Sequence, residues 1–174
     1  MRYYSLFHAE DGRYGIGRAP HTPVLMAPLK GRIEEWDPLI VELCDGCFPD
    51  YLSSDVTNRI CSQRMRELLD CHAAAGDILQ WLDVHVRYGE EERKYYFLHF
   101  PAPPDVLHRE RSTFVIGEDD MVIKPVLDEQ AAQRHSVFTY IGRQRSALVV
   151  AEVVMKAILE AGLTGIDFDG MPCA

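Results

Sequence analysis

The sequence predicts an α+β fold, with one or two antiparallel or mixed sheets and two main helices packed against them. Three observations predict it. Stretches that alternate apolar and polar side chains, such as Trp81 to Tyr88, outnumber stretches with helical spacing. Helical spacing closed by a cap and a glycine occurs twice, at Ser62 to about Ala75 and at Ser146 to Gly162. Prolines and glycines break most of the remainder into short pieces.

Taken in order, Arg2 to His8 reads as an opening strand rich in aromatics. Asp11 to Gly17 holds three glycines without the spacing of a dinucleotide-binding loop, and reads as flexible turn positions. Thr22 to Leu29 has room for one short strand. Lys30 to Ser54 reads as irregular, interrupted by Pro38, Gly46 and Pro49. The first helix opens at Ser62, whose hydroxyl suits an N-cap. Met65, Leu68, Leu69 and His72 fall on one face, and Gly76 marks the stop.

A hairpin follows. Leu82, Val84, Val86 and Tyr88 share one face of its first strand; Trp81, Asp83, His85 and Arg87 share the other. Gly89 to Arg93 reads as the turn. The return strand, Lys94 to Phe100, alternates Tyr96, Leu98 and Phe100 with Tyr95, Phe97 and His99. Matching the apolar faces places Val86 opposite Tyr96, Val84 opposite Leu98 and Asp83 opposite His99. Pro101 to Asp105 is a stiff loop. Ser112 to Ile116 and Met121 to Leu127 read as strands about a turn at Gly117 to Asp120, and Ser136 to Gly142 as another. In the second helix Val149, Val150, Val153, Val154, Ala157 and Ile158 cover most of the circumference, which predicts near-complete burial. Ile166 to Phe168 is a final short strand.

The 174 residues suit a single domain, 1–174, with an irregular part over 1–54 and a better-defined α+β part over 55–170. A net charge of −9 disfavours nucleic acid, because phosphates are repelled and no dense basic patch compensates. The opening residues lack the apolar stretch of a signal peptide, and no run approaches membrane-span length, so a cytoplasmic protein with no membrane partner is expected. The five cysteines are then reduced thiols. No nucleotide loop and no nucleophile elbow is present, and no cofactor is expected.

Several residue sets carry possible chemistry. Cys44 and Cys47 form a C-x-x-C that, with Cys61, Cys71 or His72, has the ligand types of a zinc site, but the second closely spaced pair is missing. Asp83 and His99, opposite one another in the expected register, form an acid–histidine pair of the kind that orients a general base; an ordinary ion pair explains them as well. Asp167 and Asp169 share a strand face and, with Glu160, resemble a cation cluster, against the simpler reading of solvated carboxylates. Arg109 and Arg111 fit either a carboxylate clamp or an internal tie. The acidic tips Glu90, Glu91, Glu92 and Glu118, Asp119, Asp120 suit a basic partner or plain solvation.

The segments Ile60 to Leu69, Tyr95 to His99, His108 to Ser112 and Ala161 to Phe168, with the opening Arg2-Tyr3-Tyr4, resemble the immunity-type protein family of bacterial polymorphic toxin systems, of the myxobacterial type. The resemblance implies a cytoplasmic, non-catalytic protein that binds and neutralises a toxin domain encoded beside it. Such a protein works by occupying a surface, which needs aromatic anchors and complementary charge. Trp81, Tyr95 and Phe97 are the candidate anchors, with core packing under a helix as their other reading. A small enzyme using the Asp/His pair and a metal-stabilised interaction domain are the competing functions.

Overall fold

The structure is a computed structural model that describes residues 1–9, 12–19, 28, 30–57, 59–115, 118–141 and 148–174, with 118–120 described by backbone alone. Strands β1 (Tyr3–His8), β2 (Gly17–Arg18), β3 (Leu39–Leu43), β4 (Tyr51–Leu52) and β5 (Ile60–Ser62) precede helix α1 (Gln63–His72). The hairpin strands β6 (Gln80–Tyr88) and β7 (Glu91–His99) follow, then β8 (Thr113–Val115) and β9 (Glu118–Lys124). The chain continues through α2 (Glu129–Ala132), β10 (Val137–Phe138), β11 (Leu148–Ala151), α3 (Glu152–Glu160) and β12 (Ile166–Met171).

The strands form a four-stranded sheet ordered β10-β11-β1-β12, a six-stranded sheet ordered β2-β3-β6-β7-β5-β4, and the pair β8-β9. The β3–β6 pairing is parallel, so the six-stranded sheet is mixed. The fold is mainly sheet. Among the described residues it has three helices rather than two, and α2 is a single turn.

Burial explains this arrangement. One apolar cluster joins the four-stranded sheet to α1, α3 and one face of β7, through Leu6, Met65, Leu69, Leu98, Val149 and Ile158. A second lies on the opposite face of the six-stranded sheet, through Val41, Ile60, Val84, Tyr95 and Phe97, under Ile33, Trp36 and Phe48. Truncating a buried anchor such as Leu69 to alanine costs about 2–5 kcal/mol.

The Ser62 cap forms as expected, its hydroxyl accepting from the Met65 amide at 3.2 Å. The helix ends earlier than predicted, at His72, because Ala73 is already extended. The hairpin turn is shorter than expected. Gly89, at φ +59°, begins a two-residue loop, and Glu91 to Arg93 belong to the return strand. Val84 therefore faces Tyr95 instead of Leu98, a shift of 98 − 95 = 3 residues. An odd shift turns β7 over and sends Tyr95 and Phe97 into the second cluster.

The predicted second helix is half strand. Leu148 to Ala151 form β11, wholly buried between β10 and β1. A continuous apolar run does not distinguish a central strand from a buried helix turn. The helix begins at Glu152, with Ala151 at the cap position and no side-chain cap bond. It is not buried all round, since Val153 and Leu159 are 57% and 60% exposed. Ser146 lies outside the described residues, as do Gly142, Gly117 and, apart from 28, the strand expected over 22–29. The turn expected at 117–120 is strand from Glu118 onward.

Lys30 to Ser54 is also more regular than expected. Leu39, Val41 and Leu43 point inward while Ile40 and Glu42 are exposed, a five-residue alternation. Gly15 marks a close approach instead of a flexible turn: a Cβ there would sit 1.7 Å from the Asp45 carbonyl oxygen.

Candidate partner-binding surface

Strand alternation places Trp81, Asp83, His85 and Arg87 of β6 beside Leu98, Tyr96, Lys94 and Glu92 of β7, on the face where α1 packs. Helix α1 covers the Leu98 end. At its margin Trp81 is half-buried against the same cluster, and beyond it a row of charged side chains, Asp83, His85, Arg87, Glu92 and Lys94, reaches solvent beside the buried Tyr96. The Trp81 indole N–H donates to Asp70 of α1 at 2.7 Å, and Arg66 pairs with Asp70 at 3.6 Å. The Arg66 guanidinium lies 4.4 Å from the Tyr96 ring centroid, with Lys94 at 5.3 Å. Lys94 pairs with Asp83 at 2.9 Å, and Glu92 accepts from Arg87 at 2.6 Å and bonds His85 at 2.8 Å.

These pairs have electrostatic consequences. The hydrogen bonds from Arg87 and then His85 hold the Glu92 carboxyl below its ordinary range. The hydrogen bond to Asp83 raises Lys94 above its own. The row is therefore charged at neutral pH, with both signs present. Charged groups already aligned on a rigid hairpin lose little freedom when a partner docks. Glu91 turns to the other side and pairs with Arg93 at 2.7 Å, while the Arg93 guanidinium stacks 4.2 Å from the Phe48 ring centroid. Glu90 sits exposed at the tip.

Of the three aromatic candidates, Trp81 reaches the surface and is half-buried, whereas Tyr95 and Phe97 lie in the core. The Tyr95 hydroxyl donates to the Pro49 carbonyl at 2.6 Å. The second acidic set, Glu118, Asp119 and Asp120, lies along β9, and its side chains fall outside the described residues.

The Asp83–His99 pair does not form. Asp83 stands opposite Tyr96, and His99 stands opposite Gln80 on the other face, bonded through Nε2 to the Gly31 carbonyl at 2.8 Å. Burial lowers the His99 pKa, outweighing the bond to the Gly31 carbonyl, which raises it, and the nearby Arg59 charge adds to the lowering. Cys44 and Cys47 are exposed in one loop, and the Cys47 thiol donates to the Arg13 carbonyl at 3.3 Å. Asp167 and Asp169 are exposed on one face of β12. Among the described residues no group of three or more His, Cys, Asp or Glu is placed to hold a metal ion.

Two buried carboxylates escaped the sequence reading. Asp50, with its side chain 8% exposed, accepts from the Ser62 hydroxyl at 2.6 Å, the Thr164 amide at 3.0 Å, the Thr164 hydroxyl at 3.1 Å and Arg64 at 3.3 Å. Arg64 also donates to the Ala161 carbonyl at 2.8 Å. Two of the segments singled out in the sequence, around Ser62 and around Thr164, thus meet on one carboxylate. Asp77, with no side-chain exposure, accepts from the amides of Ala74, Ser136 and Val137 at 2.8, 2.9 and 2.9 Å and bonds His135 at 2.8 Å. Asp77 directly follows Gly76, which the sequence marked only as a helix stop, and a carboxylate in such a turn is a ready acceptor for amides. Both networks join distant segments and leave little carboxylate capacity over.

Arg59 is a third surprise. It is 7% exposed between Phe97 and Phe100, its guanidinium 5.7 and 5.3 Å from their ring centroids. Among the described residues its Nε has no hydrogen-bond partner, and burial lowers its pKa to about 10, which leaves it charged at neutral pH.

The fold is therefore an α+β arrangement of three sheets whose buried polar groups join its segments and which carries, on the β6–β7 hairpin, an exposed array of charged side chains. The chain belongs to the immunity protein family Imm11, whose family model matches residues 15–172. No curated protein matches the chain.

Proposed function

We propose that this protein is the immunity partner of a bacterial toxin domain: it binds the toxin in the cytoplasm and neutralises it by covering a surface, with no catalysis of its own. Membership of the immunity family carries this reading. The exposed row on the β6–β7 hairpin supplies what a binding role requires, with Trp81 as the aromatic anchor and Asp83, His85, Arg87, Glu92 and Lys94 as the polar surround. Glu90, Glu91 and Glu92, with the excess negative charge of the chain, steer a basic partner toward the hairpin tip. Tyr95 and Phe97 serve from beneath, holding β7 flat against the second cluster. No helix among the described residues is long and apolar enough to cross a membrane.

The test is co-expression. The C-terminal domain of the large protein encoded next to this gene is produced in a sensitive host with and without this chain, and the purified pair is mixed. The proposal expects rescue of growth and a stoichiometric complex. Persistent killing with no complex contradicts it.

A further inference from the structure

A cleft of about 170 Å³ opens between Lys30, the loop residues Pro103, Pro104 and Asp105, and Leu107, Arg109, Tyr140 and Ile141. It lies outside the hairpin row. Small-molecule sites usually enclose about 300–1,000 Å³, so this one has room for a single side chain rather than a substrate.

Its walls are held from behind. The His108 amide donates to the Val126 carbonyl at 2.8 Å, and the Ser112 hydroxyl both donates to and accepts from Val126, at 3.1 and 3.0 Å. Leu107 bridges Leu127, and Tyr140 is buried. The two prolines add stiffness, so little order has to be created when something enters.

The charges select the occupant. Lys30 lines the cleft, is exposed and makes no ion pair among the described residues. Arg109 meets Asp105 through Nη2 alone, at 3.2 and 3.4 Å, while its guanidinium lies over the Phe114 ring, 5.5 Å from the centroid. That Asp105 carboxylate is 75% exposed, and such a surface pair is weak and replaceable. Two cations against one carboxylate, in a chain of net charge −9, make this an anion-accepting point in an acidic protein. Prolines carry no N–H, so Pro103 and Pro104 offer none of the backbone donors that a phosphate cradle uses. An arginine fork matches a carboxylate in a planar, two-point fashion. Pro103, Pro104, Leu107 and Ile141 suit the aliphatic stem that carries it.

Resting on the immunity reading, we propose that this cleft receives a glutamate or aspartate side chain of the protein partner. It is a second anchor point, of opposite charge preference to the acidic hairpin tip. The two together demand a partner that presents basic and acidic groups at separate places, and this gives specificity that net charge alone does not.

The test has two arms. In the first, the amide resonances of the full chain are followed during titration with acetyl-Gly-Glu-Gly-amide, its glutamine counterpart, and inorganic phosphate. Saturable shifts confined to 105–112 and 140–141 with the glutamate peptide, in about the millimolar range and at least tenfold weaker in Lys30→Gln/Arg109→Gln, are expected. No saturable shift up to about 20 mM, or equal shifts with the glutamine peptide, would overturn the proposal; tighter binding of phosphate would make the cleft a small-anion site and also overturn it. In the second arm the toxin domain is titrated with the same double variant. A loss of about tenfold or more supports the cleft. Unchanged affinity sinks it and leaves the immunity reading standing. Failure of the wild type to bind the toxin sinks the immunity reading and with it the assignment to that partner.

Discussion

The Asp50 and Asp77 networks and the β6–β7 hairpin row use the same chemistry, carboxylates bonded to N–H and O–H donors, in opposite surroundings. Asp50 and Asp77 are sealed within the fold and bind backbone amides of segments more than fifty residues away. Asp83, Glu91 and Glu92 stand in solvent and bind side chains of their own hairpin. A buried carboxylate that loses its role leaves amides without acceptors, which costs far more than a surface pair contributes. The first set therefore holds the fold together, while the second is free to be exchanged for contacts with a partner.

The comparison breaks most easily at the buried end. Asp77→Ala strands three amides and His135, and its expected loss of stability is about 3 kcal/mol or more, read as a fall in the denaturant midpoint. Asp50→Ala frees Thr164 and Ser62 and belongs in the same range. If either variant melts like the wild type, the networks do not hold the segments together.

At the exposed end the readouts exchange places. Trp81→Ala removes a half-buried ring and its bond to Asp70, and about 2 kcal/mol of partner affinity is expected to go with it while the fold persists. Exchanging Glu91 and Glu92 for glutamine is expected to slow association with the toxin domain severalfold at low salt, with the difference shrinking as salt rises, and to leave the melting temperature nearly unchanged.

His99 lies between the two cases. Its folded pKa is lowered by burial, so between that value and the ordinary value near 6.5 the unfolded chain binds more protons than the folded one. Its contribution to stability is complete above about pH 6.5 and is lost as the pH falls toward the lowered value. Melting temperatures at pH 7.5 and pH 5.5 are expected to differ more for the wild type than for His99→Asn. Equal differences would mean that protonation of this ring is not opposed by the fold.

Local signals in the sequence were dependable where one residue does one job. Ser62 caps α1, and the alternation of Trp81 to Tyr88 makes a strand, because capping and pleating are set by near neighbours. The hairpin register was not legible, because whether Gly89 opens a two-residue loop or a longer one changes which face of β7 is buried. Leu148 to Ala151 read as helix because a central strand covered on both faces has no polar period to betray it. The Asp50 and Asp77 networks were invisible for a different reason: their partners are assembled by tertiary structure, and no spacing encodes them. The hairpin row was half legible. Trp81 and Glu92 were among the candidates, whereas Arg66 and Asp70 join it only because α1 folds back across β7.

The most direct test of the account is the affinity of the proposed cognate toxin domain for the wild-type chain and for Trp81→Ala, measured alongside the melting temperature of each. A drop of tenfold or more in a variant that still unfolds cooperatively, with a melting temperature lowered only by the lost packing of the ring, is the predicted result. Equal affinity for the two, with the variant folded, would contradict the hairpin as the surface that meets the toxin.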